Sequence, residues 1–321
     1  MRLRLLPEKL NINFLGWLRL WLAISVLGVV ASIGVFLVQG LNYGVDFRGG
    51  SLIIAATPEP EDVADFREAL TELGVADVNV TEISDDTGAS RNMVLMRLGI
   101  PDDDPDNTAA FIARVQAGLT EVFPGISFLQ VDSVGSTVSA ELIRDGILAV
   151  ILSFVGIMIY VWLRFEWQFS IGAVIALVHD AILTVGIFSL LQLEFNLTIV
   201  AALLTVIGYS INDTVVVFDR VRENLRKFKK MPLVDVLNLS LNETFSRTVM
   251  TSVTTLLALL AIYFFGGDVI SGFAFAVMWG VGVGTYSSIY VATAFVLWLG
   301  VKRDWSKPDA RAGTEFSKVD A

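Results

Sequence analysis

Residues 18–38 read LRLWLAISVLGVVASIGVFLV, with one charge, Arg19, at the start. A helix needs about 20 mostly apolar residues to cross the hydrocarbon of a bilayer, and a long arginine side chain near one end reaches back to the interface. The run is read as a membrane span. Arg2, Arg4 and Lys9 precede it in the manner of a secretory signal. It is too long for a signal's apolar region, however, and no small-residue cleavage site closes it. A retained first span is expected.

Working outward, five more apolar runs crowd the second half, at 147–163, 169–191, 195–218, 248–266 and 273–299. The chain is 54% hydrophobic and 17% charged, with a mean hydropathy of +0.66, more apolar surface than a water-soluble fold encloses. The fold class expected is a polytopic α-helical membrane protein of six spans, with one extracytoplasmic α+β domain inserted after the first.

Orientation follows from lysine and arginine in the short loops. Arg220, Arg222, Arg226, Lys227, Lys229 and Lys230 fall between the fourth and fifth spans, and Lys302, Arg303, Lys307, Arg311 and Lys318 follow the sixth. The loops around Glu194 and Asp268 have neither. The N-terminus (1–17), the loop 219–247 and the tail 301–321 are therefore expected in the cytoplasm, with 39–143 outside it and 144–300 forming a five-span bundle.

The outer region is acidic, with Glu59, Glu61, Asp62, Asp65 and Glu68 and a run of Asp102, Asp103, Asp104 and Asp106. These charges read as a solvated surface, and the net charge of −10 averages over separate compartments. Its apolar pattern predicts strand 51–56, helix 61–73, strands 77–84 and 92–98, helix 108–123 and strand 126–131. This β-α-β-β-α-β order is that of a ferredoxin-like unit, two helices on one face of a four-stranded antiparallel sheet.

Several segments stand out. Residues 42–50 read NYGVDFRGG, where glycines allow sharp turns or close approach. A rigid joint between helix and strand is the favoured reading, and a hinge at Gly44, Asp46, Gly49 and Gly50 is its functional version. His179 and Asp180 lie within the third span, Asn212 and Asp213 within the fourth. Ionisable groups at such depth cost about 2.5–3.5 kcal/mol each on insertion scales and face partners, water or a proton path. For His179 and Asp180 a polar clamp between helices competes evenly with function, whereas Asp213 leans to function. Arg247 opens the hydroxyl-rich stretch SRTVMTSVTT at 246–255. One span descends to the loop and the next rises from it, which brings Asp213 and Arg247 to similar depth, and such a pair can switch on protonation.

Residues 225–244 alternate basic and apolar around Met231 and Pro232, the pattern of an amphipathic surface helix or of a solvated connector. GVGVG at 280–284 lacks the preceding strand of a phosphate loop and reads as close helix packing. There is no cysteine and a single histidine, which rules out disulfides and thiolate metal sites and leaves too few ligands for zinc. No nucleotide loop and no nucleophile with a base is present, so no enzyme chemistry is indicated and no cofactor is expected.

GVDFRGG at 44–50, His179 with Asp180, IGYSINDTVVVFDR at 207–220, Arg247-Thr248 followed by Thr251-Ser252, and GTYSS at 284–288 together resemble the SecD/SecF family of the bacterial protein-export translocase, within the resistance-nodulation-division superfamily. The resemblance runs from first span to last, though the outer domain matches in length and element order only. It implies one half of a twelve-span bundle, paired with SecD as parallel repeats, in the bacterial inner membrane. It also implies use of the proton-motive force to help unfolded secretory proteins leave the SecYEG channel after SecA has pushed them in, with YajC associated. On this chain the proton relay would fall on Asp213, Arg247 and Thr251, extending to His179, Asp180 and Asn212, with substrate handling on the outer domain. Two other readings stay open: a proton-coupled pump for small molecules or lipids, marked by an enclosed apolar pocket in the outer domain, and a membrane scaffold without a transport cycle.

Overall fold

A computed structural model of the chain describes residues 11–75, 78–83, 92–99, 108–134 and 136–301. Arg2, Arg4, Lys9, the run from Asp102 to Asp106, the strand ends Asp77 and Ser84, and the five basic residues of the tail lie outside the described residues.

After a single 3-10 turn, helix α1 (Leu18–Gln39) forms the first span, and Gly40, with φ +67°, ends it. A short strand β1 (Asn42–Tyr43) and a one-turn helix α2 (Val45–Arg48) lead into β2 (Gly50–Thr57). The outer domain continues with α3 (Val63–Glu72), β3 (Asn79–Ile83), β4 (Asn92–Leu98), α4 (Thr108–Val122) and β5 (Ser127–Val134). Its sheet order is β3-β4-β2-β5 with every neighbour antiparallel, so the ferredoxin-like expectation holds.

Alternation sets the two faces of the sheet. In β4, Val94, Met96 and Leu98 point inward, while Met93, Leu95 and Arg97 take the opposite face. Helices α3 and α4 cover the inner face at helical spacing through Phe66, Ala69 and Leu70 and through Phe111, Val115 and Leu119, and Phe66 stacks on Phe123 with ring centroids 4.1 Å apart. Glu59, Glu61, Asp65 and Glu68 are exposed, as a solvating surface requires. Asp62 does more, since its side chain accepts the Ala64 N–H at 2.9 Å and caps α3.

The membrane part comprises α5 (Ser136–Arg164), α6 (Trp167–Leu191), a short strand β6 (Glu194–Phe195), α7 (Leu197–Lys227), α8 (Leu233–Phe265), α9 (Asp268–Ser287), a π-helical turn (Ser288–Ala292) and α10 (Thr293–Leu299). Among the described residues, six helices are long and apolar enough to cross a membrane, the sixth being α9 and α10 joined through the π turn. Helices α6, α7 and α9 form the buried centre, and α1 and α5 turn nearly all their apolar residues outward, as lipid-facing helices do. Glycines set the closest approaches: a Cβ on Gly186 would meet Ser32 Oγ at 2.2 Å, and one on Gly280 would meet Val206 Cγ2 at 2.2 Å. In the glycine run at 280–284, Gly280 and Gly284 thus pack closely on α7, whereas Gly282 has nothing within 4 Å of an added Cβ.

Two expectations change. The stretch 225–244 is no separate surface helix. Residues up to Lys227 finish α7, Phe228 to Pro232 make a turn, and the remainder begins α8, so the expected loop 219–247 is mostly a helical hairpin. Val236, Leu237 and Leu241 are buried in it. Its polar residues bond inward too: Asn224 Nδ2 donates to Glu243 Oε2 at 2.6 Å, and Asn238 Oδ1 accepts the Phe14 N–H at 2.9 Å. Similarly, Phe195 does not open the fourth span but pairs in β6 with β1, beside α1's exit.

Candidate functional site

Asp213 lies midway along α7, only 4% exposed, and its Oδ2 is buried without a hydrogen-bond partner. Arg247, on α8, is the basic residue whose charge acts on it, yet among the described residues no ion pair within 4 Å joins them. Arg247 and Asn212 are both exposed. Thr251, half-buried, donates to the backbone oxygens of Arg247 at 3.2 Å and Thr248 at 2.9 Å. The hydroxyls of Thr214 and Thr248 are buried and unpartnered. The hairpin of α7 and α8 therefore holds a carboxylate and two hydroxyls in apolar surroundings with unused hydrogen-bonding capacity, a costly arrangement.

His179 and Asp180 belong to a different constellation. Asp180 is 0% exposed. Its Oδ2 accepts from Ser210 Oγ of α7 at 2.6 Å and from Ser287 Oγ of α9 at 2.8 Å, and its Oδ1 lies 2.9 Å from His179 Nδ1. One carboxylate thus ties the three central helices together. This is the geometry of a clamp, and it touches Asp213 indirectly, because Ser210 stands three residues before Asp213 on the same face of α7. Ser210 and Ser287 fall within the strings at 207–220 and 284–288, where nothing local marks either serine as a partner for a carboxylate.

On the outer side, the segment 42–50 is fixed to the loop between α6 and α7. Asn42 and Tyr43 pair in parallel with Glu194 and Phe195, Gly44 N–H donates to Phe195 O at 2.9 Å, and Asn42 Nδ2 donates to Gln192 O at 3.0 Å. Asp46 Oδ2 accepts the Leu197 N–H at 2.8 Å, satisfying a free donor of α7's first turn. A Cβ at Gly44 would meet Glu194 Oε1 at 2.7 Å, and Gly50, at φ +137°, would press one to 2.6 Å from Leu98 O. Gly49, at φ +72°, also occupies a conformation that favours glycine. Arg97 of β4 forms an ion pair with Glu194, a contact invisible in sequence. Between the uncovered sheet face and this loop lies a cleft of about 630 Å³, lined in part by Leu52, Ile54, Leu95, Leu129 and Asp46.

The family described as "Protein export membrane protein SecD/SecF, C-terminal" matches residues 114–302, and "SecD/SecF GG Motif" matches 34–55. A protein translocase subunit SecF of Cereibacter sphaeroides is 51% identical over 321 residues, covering 100% of this chain and 99% of its own. Its counterpart in Rhodobacter capsulatus is 48% identical over 96% of this chain and 95% of its own. A crystal structure of SecDF, a translocon-associated membrane protein from Thermus thermophilus, superposes with a TM-score of 0.79 at 35% identity, covering 93% of this chain and 40% of that longer one. A second, of SecDF in a super-membrane-facing form, gives a TM-score of 0.67 at 36% identity, with the same coverage of each chain. The chain belongs to the SecD/SecF family as a translocase subunit of the SecF type, a multi-pass transport protein and not an enzyme.

Proposed function

We propose that the chain, paired with SecD in the bacterial inner membrane, uses the proton-motive force to draw unfolded secretory proteins out of the SecYEG channel after SecA has pushed them in, with YajC associated and both termini cytoplasmic. The observation that carries this reading is the unpartnered, buried Asp213 oxygen beside an uncovered polar face. On α7, Ala201, Thr205, Gly208 and Asn212 recur at helical spacing and are all exposed, and Arg247 and Thr254 are exposed on α8. Small and polar residues on a membrane helix are the kind that pack against another helix, so this face is assigned to SecD, and the relay then lies at the seam between the halves.

In this scheme Asp213 takes and releases the proton, Arg247 supplies the fixed charge that it answers to, and Thr251 and Asn212 line the approach. His179 and Asp180 hold the central helices in register. A charge crossing the full potential is worth about 2.3 kcal/mol per 100 mV, enough for a proton or two to bias packings separated by a few kcal/mol. The pump alternative calls for an enclosed apolar pocket in the outer domain; that interior is filled by Phe66, Leu70, Phe111 and Leu119, which favours the export reading.

The test uses membrane vesicles with SecYEG, SecA, ATP and a partly translocated precursor, with and without a proton gradient. Asp213→Asn keeps shape but cannot cycle a proton, so folding survives and the gradient-dependent gain disappears. A variant present at normal levels that keeps the full gain removes Asp213 as the carrier and favours the scaffold.

A further inference from the structure

At the end of the bundle away from the outer domain, the turn between α5 and α6 meets the last turns of α7. A cleft of about 540 Å³ there is lined by Arg164, Asp219, Arg222, Glu223, Arg226 and Lys227. Four cations and two carboxylates leave a net charge of +2. Both carboxylates are already engaged, Asp219 with Arg164 at 3.0 Å and Glu223 with Arg220 at 2.6 Å.

The guanidinium groups are held before any ligand arrives. Arg222 donates to the backbone oxygen of Arg164 at 2.8 Å. Arg164 and Arg222 both sit over the buried Phe165 ring, 5.0 and 5.6 Å from its centroid. Arg222 also feels the like charges of Arg226 and Arg164 alongside the opposite charges of Asp219 and Glu166, and a bound anion would add to the latter. Beside the cleft, Trp162, Leu163 and Trp167 are 63%, 83% and 49% exposed, as residues at a bilayer's edge are.

From this geometry we infer that the cleft is a binding site for the phosphate of an anionic phospholipid, with its acyl chains lying along Trp162, Leu163 and Trp167. Basic pockets between membrane helices at one leaflet hold anionic headgroups in this way. Free phosphate would engage the cations but leave the apolar flank bare, as would an acidic peptide. The inference does not depend on proton coupling.

The full chain in mild detergent, with any subunit that co-purifies, is titrated by native mass spectrometry. The probes are dioleoyl-phosphatidylglycerol, dioleoyl-phosphatidylcholine and inorganic phosphate. The glycerol lipid should bind in preference to the choline lipid, and Arg222→Gln should weaken it about fivefold or more, the scale of one charge near a membrane surface. Lys229→Gln with Lys230→Gln, outside the cleft, should leave it unchanged. Should Arg222→Gln fold poorly, Arg226→Gln with Lys227→Gln carries the test. Equal binding of both lipids, or an undiminished preference in a folded cleft variant, overturns the site. Displacement of the lipid by equimolar phosphate or by a polyglutamate peptide assigns the cleft to those anions instead and overturns the lipid.

Discussion

Asp46 accepts the backbone N–H of Leu197 at 2.8 Å, so the segment that opens the outer domain terminates on the first turn of the helix that carries Asp213. Sixteen residues separate Leu197 from Asp213, about 24 Å of continuous helix. Asp46→Ala should remove this cap at a cost of about 1 kcal/mol, while Asp46→Asn retains an acceptor oxygen. Hydrogen exchange at the Leu197 amide should accelerate in the alanine variant and stay near the parent rate in the asparagine variant, while the Ile199 amide, held by Asn196, should change less.

Arg247 is exposed and makes no ion pair within 4 Å among the described residues. Arg247→Ala should therefore change stability by less than about 0.5 kcal/mol, yet remove the gradient-dependent gain in the vesicle assay. Melting in mild detergent and precursor completion, measured on one preparation, separate the two effects; a variant that exports normally takes Arg247 out of the relay.

Ser210 and Ser287 both donate to one Asp180 oxygen. Ser210→Ala deprives a buried carboxylate of a donor, and about 1–3 kcal/mol of stability should go with it. A double-mutant cycle with Asp180→Asn should return a coupling energy of about 0.5–3 kcal/mol. Additive losses would mean that the two side chains do not act as a unit.

The pairing of Asn42 with Glu194 distinguishes a hinge from a rigid joint. The chain has no cysteine, so Asn42→Cys with Glu194→Cys introduces a single possible disulfide, and neighbours across a strand ladder lie within bridging range. Because the segment 42–50 is bound at several points to the loop between α6 and α7, the bridged protein should keep its gradient-dependent gain. Loss on oxidation, with recovery on reduction, would restore the hinge.

The spans were legible because lipid permits few alternatives: an apolar run must become a helix that satisfies its own backbone. The apolar run 18–38 is helix Leu18–Gln39. Helix ends in water carry no such constraint, which is why the hairpin past Asp219 looked like a loop. In the site, Asp213 announced itself as a charge within an apolar run. Ser210 and Ser287 did not, since hydroxyls are common in membrane helices and only the meeting of α6, α7 and α9 gives these two their partner. Arg97 and Glu194, 97 residues apart, carry no local signal at all.

The π turn at Ser288–Ala292 gives the last span a change of phase partway along its length. An extra residue in one turn rotates everything beyond it by about 100° relative to an unbroken α-helix. Before the turn, Ser287 faces Asp180; at its last residue and one turn further on, Ala292 and Val296 lie against Gly172, where an added Cβ would meet Ala292 O at 2.9 Å. The wide turn therefore works as a clutch between two segments of one rod, letting each find its own fit on α6.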